Sequence, residues 1–386
     1  MDKREKIKEN LKKSGFVLEY QVAKILTDNN WKVISNKYYI DDVSGTPREI
    51  DILAYKEADT LDTKYYTTLL ISCKKSEQND WIMLTRNKSD NINKNSFSEV
   101  PFKHWTNSIA YDFIFNERDF EKEYIDKVTG SISQKIIKIE KDLFAFQEIS
   151  KKNQSVQNDK KIFTSISTLI KSVAYELKKL QIKRKKRCLY NFYLISLCET
   201  ELFEGFFENN DIAIHQIDSI LFENQYIVDR IEDNFSINIV SFKYFIQILS
   251  HYNDIHHWNA NYYGELLKKF YLDILIQRDK RWAFFKRTGI NLYDSIKPYL
   301  KEQEIEGLNT YADLYLEFDG EKNKITLESE VFSDKVIDKL KENLPGIKSW
   351  FIKWVKFDGE IDFNYKPFED HEFDHDDYFD YDEGNY

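Results

Sequence analysis

The chain has 386 residues, 42 % apolar and 16 % aromatic, with only 11 Gly and 5 Pro. That balance excludes a disordered or fibrous protein and suits one large domain or two of ordinary size. The net charge of −10 is concentrated near the end, where 369–383, EDHEFDHDDYFDYDE, carries nine acids and no Lys or Arg; the body is nearly neutral, so charge alone does not exclude a polyanionic partner.

The N-terminal MDKREKIKENLKKSGF is charged with no apolar run behind it, and nowhere do about eighteen apolar residues follow one another. Neither secretion nor contact with a membrane is expected, and the expected compartment is the cytoplasm. Residues 14–31, SGFVLEYQVAKILTDNNW, predict a helix: Ser14 is placed to cap it, and Leu18, Val22, Ile25 and Leu26 recur at helical spacing. WKVISNKYYI predicts a strand, DDVSGTP a turn and EIDILAY a second strand with period-two alternation. YYTTLLISCK, nearly continuous in apolar and β-branched residues, predicts a third strand in the buried middle of a sheet.

From about 100 to 187 the pattern reads as a helical insertion. It ends in the amphipathic IFTSISTLIKSVAYELKKLQIKRKKR, whose stretch 178–187 holds seven basic residues in ten. Such density neutralises several phosphates, the alternative being a solvated lysine-rich face. Strand sequence resumes at CLYNFYLISLCE and SINIVSF, and a helix follows at KYFIQILSHY, which places the end of the first domain near 256. Residues 257–366 predict a helix-rich C-terminal domain with a β-hairpin turning at Asp319-Gly320, and 367–386 an acidic, disordered tail. Three cysteines, Cys73, Cys188 and Cys198, form no CxxC pair and no zinc spacing, as reduced structural thiols would. The histidines of HYNDIHHW lack metal-site spacing and are expected at a helix end or loop.

One group of residues carries chemistry. Glu49, Asp51 and Leu53 share a face of the second strand, and Ser72 and Lys74 a face of the third, so strands paired in register set Asp51 beside Lys74. Phosphodiester hydrolysis needs a hard cation, a carboxylate to hold it and a group to position water. Asp51 suits the first task and Lys74 the last, with the Cys73 carbonyl as a further oxygen ligand. Glu19 borders the buried stripe of the first helix, where it can lean toward the sheet. Asp51 and Lys74 are both expected to serve a site and not the core, leaving stability unchanged when either is removed.

The ordered set SGFVLEYQVAKIL, REIDILAY and LLISCKKS, followed by Trp81, resembles the PD-(D/E)XK nuclease superfamily, especially its Mrr-like and Holliday-junction-resolvase-like branches. The family pattern of an acid on the first helix, an acid on the second strand and (D/E)-X-K on the third falls here on Glu19, Asp51 and Ser72-Cys73-Lys74. The resemblance implies an α/β restriction-endonuclease-like fold, a mixed central sheet flanked by helices over residues 1–256. It further implies a Mg²⁺- or Mn²⁺-dependent DNA endonuclease of restriction or phage defence, with a homodimer or a defence protein as partner; RNA in place of DNA is the alternative substrate. Asp51, Glu19, Glu49 and the Cys73 carbonyl are then the metal ligands, Lys74 orients water, and Lys183, Arg184, Lys185, Lys186 and Arg187 grip phosphates. Ser72 departs from the pattern, since an acid stands there in the family. Either another carboxylate, Glu19 before Glu49, supplies the missing charge, or the domain is a silenced nuclease kept as a nucleic-acid- or protein-binding module.

Overall fold

The computed structural model describes residues 2–41, 44–88, 100–183, 186–208, 211–228, 230–300 and 314–367, and at Lys183 the backbone alone. The chain divides into two compact units, Met1–Leu267 and Lys268–Tyr386, with the division inside a single helix.

In the first unit, α1 (Lys3–Lys12) and α2 (Gly15–Asp28) precede the strands β1 (Lys32–Ile40), β2 (Pro47–Asp59) and β3 (Lys64–Lys75). Then come β4 (Asn79–Arg86), β5 (Lys103–Thr106), α3 (Ile109–Phe115), α4 (Phe120–Thr129), β6 (Asp142–Ser150) and α5 (Lys160–Lys183). Five strands follow, β7 (Cys188–Glu199), β8 (Leu202–Glu208), β9 (Asp211–Ile217), β10 (Ser219–Val228) and β11 (Ile231–Ser241), before the helix α6 (Phe245–Ile276).

A seven-stranded mixed sheet runs β1-β2-β3-β7-β11-β10, with β5 also paired to β7. β1, β2 and β3 form an antiparallel meander, whereas β3 and β7 are parallel from Lys64↔Cys188 to Lys75↔Glu199. β7 is buried at every position but its last and β3 at all but its ends, as their unbroken apolar sequences predict for strands covered on both faces. On one face α5 lays Ile162, Ile166, Leu169, Ile170 and Val173 into a core with Leu53, Leu70 and Leu194. Toward the other face α2 buries Leu18, Val22 and Leu26.

α6 meets the sheet through polar atoms. Asn259 Nδ2 donates to Tyr65 OH at 2.9 Å and Tyr193 OH at 3.1 Å, Tyr124 OH donates to Asn259 Oδ1 at 2.9 Å, and Asn191 Nδ2 donates to Tyr263 OH at 2.7 Å. Thr67 Oγ1 and His256 Nδ1 are 2.8 Å apart, and the His256 ring stacks on Tyr65. Each partner satisfies a group that would otherwise be buried unpaired.

A second sheet, β6-β4-β8-β9, completes this unit, and its edge strand β9 is exposed at all but its last residue. In the second unit α7 (Arg278–Thr288), β12 (Tyr315–Asp319), β13 (Lys324–Ser329), α8 (Asp334–Glu342), α9 (Leu344–Val355) and β14 (Glu360–Tyr365) form helices around a three-stranded sheet. Its hairpin turns after Asp319, whose Oδ1 accepts from Glu321 N at 3.1 Å and Lys322 N at 3.2 Å. The chain is thus mixed α/β, with nine α-helices among the described residues, none long and apolar enough to cross a membrane.

Three expectations need correction. The stretch 100–187 is not wholly helical, because β5 and β6 lie within it. Most of KYFIQILSHY and of YYGELLKKFYLDILIQ belongs to one 32-residue helix, Phe245–Ile276; the weak helix formers between them are held by sheet partners, which override propensity. Ser14 stands at the start of α2 without capping it, for its hydroxyl donates to Leu11 O at 2.7 Å, a carbonyl left over at the end of α1.

His256 gives a prediction. Burial, with His257 and Lys56 nearby, pushes its pKa down to about 4, so the folded form holds the neutral ring. The unfolded chain takes up that proton near pH 6.5. Between about pH 6.5 and 4 the unfolded state therefore binds more protons, and this contribution to stability, complete above that window, is lost as pH falls through it. Denaturant unfolding at pH 7 and 4.5 is expected to show a loss on the order of 2 kcal/mol that His256→Gln does not share.

Candidate active site

The antiparallel ladder between β2 and β3 ends at Ile52↔Ile71, while β2 continues beside β1 and β3 beside β7. The sheet forks there, and the side chain of Asp51 spans the fork. Its Oδ2 accepts from Cys73 N at 2.6 Å, Ser72 Oγ at 3.3 Å and Lys74 Nζ at 3.4 Å. The first is a short, charge-assisted bond that replaces a main-chain acceptor. Lys74 Nζ also lies 3.4 Å from Cys73 O. The side chains of Asp51 and Lys74 keep 17 % and 23 % of their exposure, enough for a solute to reach them. One further step of the ladder would set Asp51 opposite Ser72, so Lys74 reaches the carboxylate diagonally.

Glu19 joins them from α2. Burial and the Asp51 carboxylate push its pKa up, against the pull of Lys74, with Glu49 adding to the rise and the nearby Asn36 side chain opposing it. The same charges surround Cys73, whose buried thiol is pushed well up and is inert. Glu49 is half-buried on β2, across the ladder from Tyr38. Glu19, Glu49, Asp51, Ser72, Cys73 and Lys74 thus share one end of the meander.

The basic run is elsewhere. β3 and β7 begin together at Lys64↔Cys188, so Lys186 and Arg187 stand at the far end of the strand from Lys74, about 33 Å away. Arg187 is paired with Asp62, and Asn107 Nδ2 donates to Lys186 O. The Lys183 side chain, Arg184 and Lys185 lie outside the described residues, as does the acidic stretch from 368 onward. His251, Asp254, His256 and His257 lie on α6, inside a helix and not at its end. Cys73, Cys188 and Cys198 are buried and form no disulfide among the described residues. Among the described residues no three His, Cys, Asp or Glu side chains group as a metal site by themselves.

Asn36 was not anticipated. It sits on β1 between the pairs Ser35↔Ile52 and Lys37↔Ile50, beside Asp51, with φ of 55°. The signal was an asparagine in mid-strand, the residue that tolerates left-handed backbone best after glycine.

Because Asp51 carries the Cys73 N–H, its removal has a structural cost that the sequence did not indicate. Asp51→Ala is expected to lose about 1–2 kcal/mol in denaturant unfolding. Asp51→Asn, which keeps an acceptor, should lose clearly less, and Lys74→Ala should stay within about 0.5 kcal/mol.

Comparison of the chain with protein-family models, with curated proteins and with solved structures finds no match in any of the three.

Proposed function

We propose that the chain is a metal-dependent endonuclease that hydrolyses phosphodiester bonds in DNA, built on a restriction-endonuclease-like core related to the PD-(D/E)XK superfamily. The observation that carries this reading is the meeting of Asp51 and Lys74, from two strands, at Asp51 Oδ2, with Glu19 of α2 within electrostatic reach of both. The order helix, strand, strand, strand in α2 to β3 supports it.

The donors fit a hard cation. All hydrogen bonds at Asp51 converge on Oδ2, and no described residue bonds Oδ1. Glu19 and the Cys73 carbonyl add oxygens nearby. Two carboxylates and a carbonyl suit Mg²⁺ or Mn²⁺, which keep several waters and take the rest of their shell from substrate phosphate. Such an ion supplies charge neutralisation at the scissile phosphate. Lys74 holds the attacking water through its ammonium group and offsets the negative charge that builds on the phosphoryl oxygens. Glu19 would serve that cation as its second carboxylate. Cys73 N–H and Ser72 Oγ hold the Asp51 carboxylate in one orientation.

A second reading, a silenced nuclease kept for binding, is favoured by Ser72, which is fully buried and brings no acid to the site. The test is cleavage of plasmid and oligonucleotide DNA in Mg²⁺ and Mn²⁺. Wild type is expected to cut, and Asp51→Asn, Lys74→Ala and Glu19→Gln each to lose at least about a hundredfold in rate. Undiminished cleavage by Asp51→Asn or Lys74→Ala removes the assignment, and a wild type that binds DNA without cutting it establishes the second reading.

A further inference from the structure

Most rings of this chain are core, but those around Glu19 are not. Phe16 and Tyr20 keep 70 % and 69 % of their exposure, and Tyr38 keeps 65 %. Phe16 and Tyr20 are four residues apart on α2, hence one above the other, with Glu19 beside them. Tyr38 stands across the β1–β2 ladder from Glu49. Large apolar groups gathered in solvent mark a surface that is covered in use.

The covering partner is marked by charge. α1 buries no residue, and over 3–13 the sequence KREKIKENLKK has six basic residues against two acids. Its end is fixed beside the site, because Lys75 Nζ donates to Lys12 O at 2.8 Å. Exposed lysines thus adjoin exposed rings, which adjoin the carboxylates. Planar rings beside cations match unpaired bases beside phosphates, whereas a duplex keeps its base faces stacked inside and offers them no surface.

We infer, resting on the endonuclease reading, that α1 and α2 are the substrate-gripping surface and that they select nucleic acid with unpaired bases. Lys12 and Lys13 contact phosphates, and Phe16 and Tyr20 stack bases next to the bond to be cut. The basic run at the end of α5, at the other end of the sheet, is not needed for this grip. An anionic lipid surface also attracts basic helices, and binding to anionic vesicles is the outcome that would reveal it.

The experiment is fluorescence anisotropy with the full chain in chelator, so that cleavage does not enter, using labelled oligothymidylate and a mixed-sequence duplex. Oligothymidylate is expected to bind more tightly than the duplex. Phe16→Ala/Tyr20→Ala should weaken oligothymidylate binding by roughly tenfold or more, leaving duplex binding unchanged. Lys12→Gln/Lys13→Gln should weaken both and reduce the slope of log K against log salt by about 1.4 units for oligothymidylate and about 1.8 for the duplex. Equal oligothymidylate binding by wild type and the ring variant, tighter duplex binding, or capture by phosphatidylserine vesicles at a salt concentration where oligothymidylate is released would each overturn the inference. Oligothymidylate bound as expected yet never cut in Mg²⁺ or Mn²⁺ supports the gripping surface and removes the endonuclease reading. Duplex cleavage by the wild type, with oligothymidylate neither bound more tightly than the duplex nor cut, overturns the inference and leaves that reading intact.

Discussion

The bond from Cys73 N to Asp51 Oδ2 is where the sheet's construction and its chemistry meet. β3 has to stay beside β7 along its whole length and yet part from β2 near its end. Parting leaves a main-chain donor without a strand partner, and an unpaired donor in a half-buried place is costly. A carboxylate reaching across the fork satisfies it and is itself held rigid where solvent enters.

Seen from that bond, Ser72 is a fitting residue and not merely a missing acid. Position 72 faces Asp51 across the fork, and Glu19 is already pushed toward its neutral form by burial and by the charge of Asp51. A third carboxylate would add repulsion in a place that Lys74 offsets. A hydroxyl donates to Asp51 instead, and the neighbouring pair Ser165 Oγ and Ser196 Oγ, 2.8 Å apart, continues a neutral polar lining under the site.

Where one physical cause dominated, the residues were legible. β3 and β7 announced themselves because strands buried on both faces are apolar throughout, and the hairpin at Asp319 because its turn chemistry is local. Asp51 and Lys74 were found from strand parity, which survives small errors of register. α6 was misread because His256 and Asn259 look like interruptions until the tyrosines and threonine that bind them are in place. β9 escaped because an edge strand exposed at nearly every position has no burial pattern to display. Asn36 and the exposed Phe16, Tyr20 and Tyr38 were invisible for a related reason: whether a ring is core or surface is decided by partners distant in sequence.

The parallel pairing of β3 with β7 also governs how the chain reaches its fold. The two strands are about 120 residues apart in sequence, so the central ladder belongs to the slow, non-local class of contacts. During synthesis the meander is finished on the order of ten seconds before β7 emerges. Throughout that interval the most apolar edge of the nascent sheet is without its neighbour. The newborn chain is therefore most prone to aggregate at this stage, and a chaperone that shields a half-built sheet would act on β3.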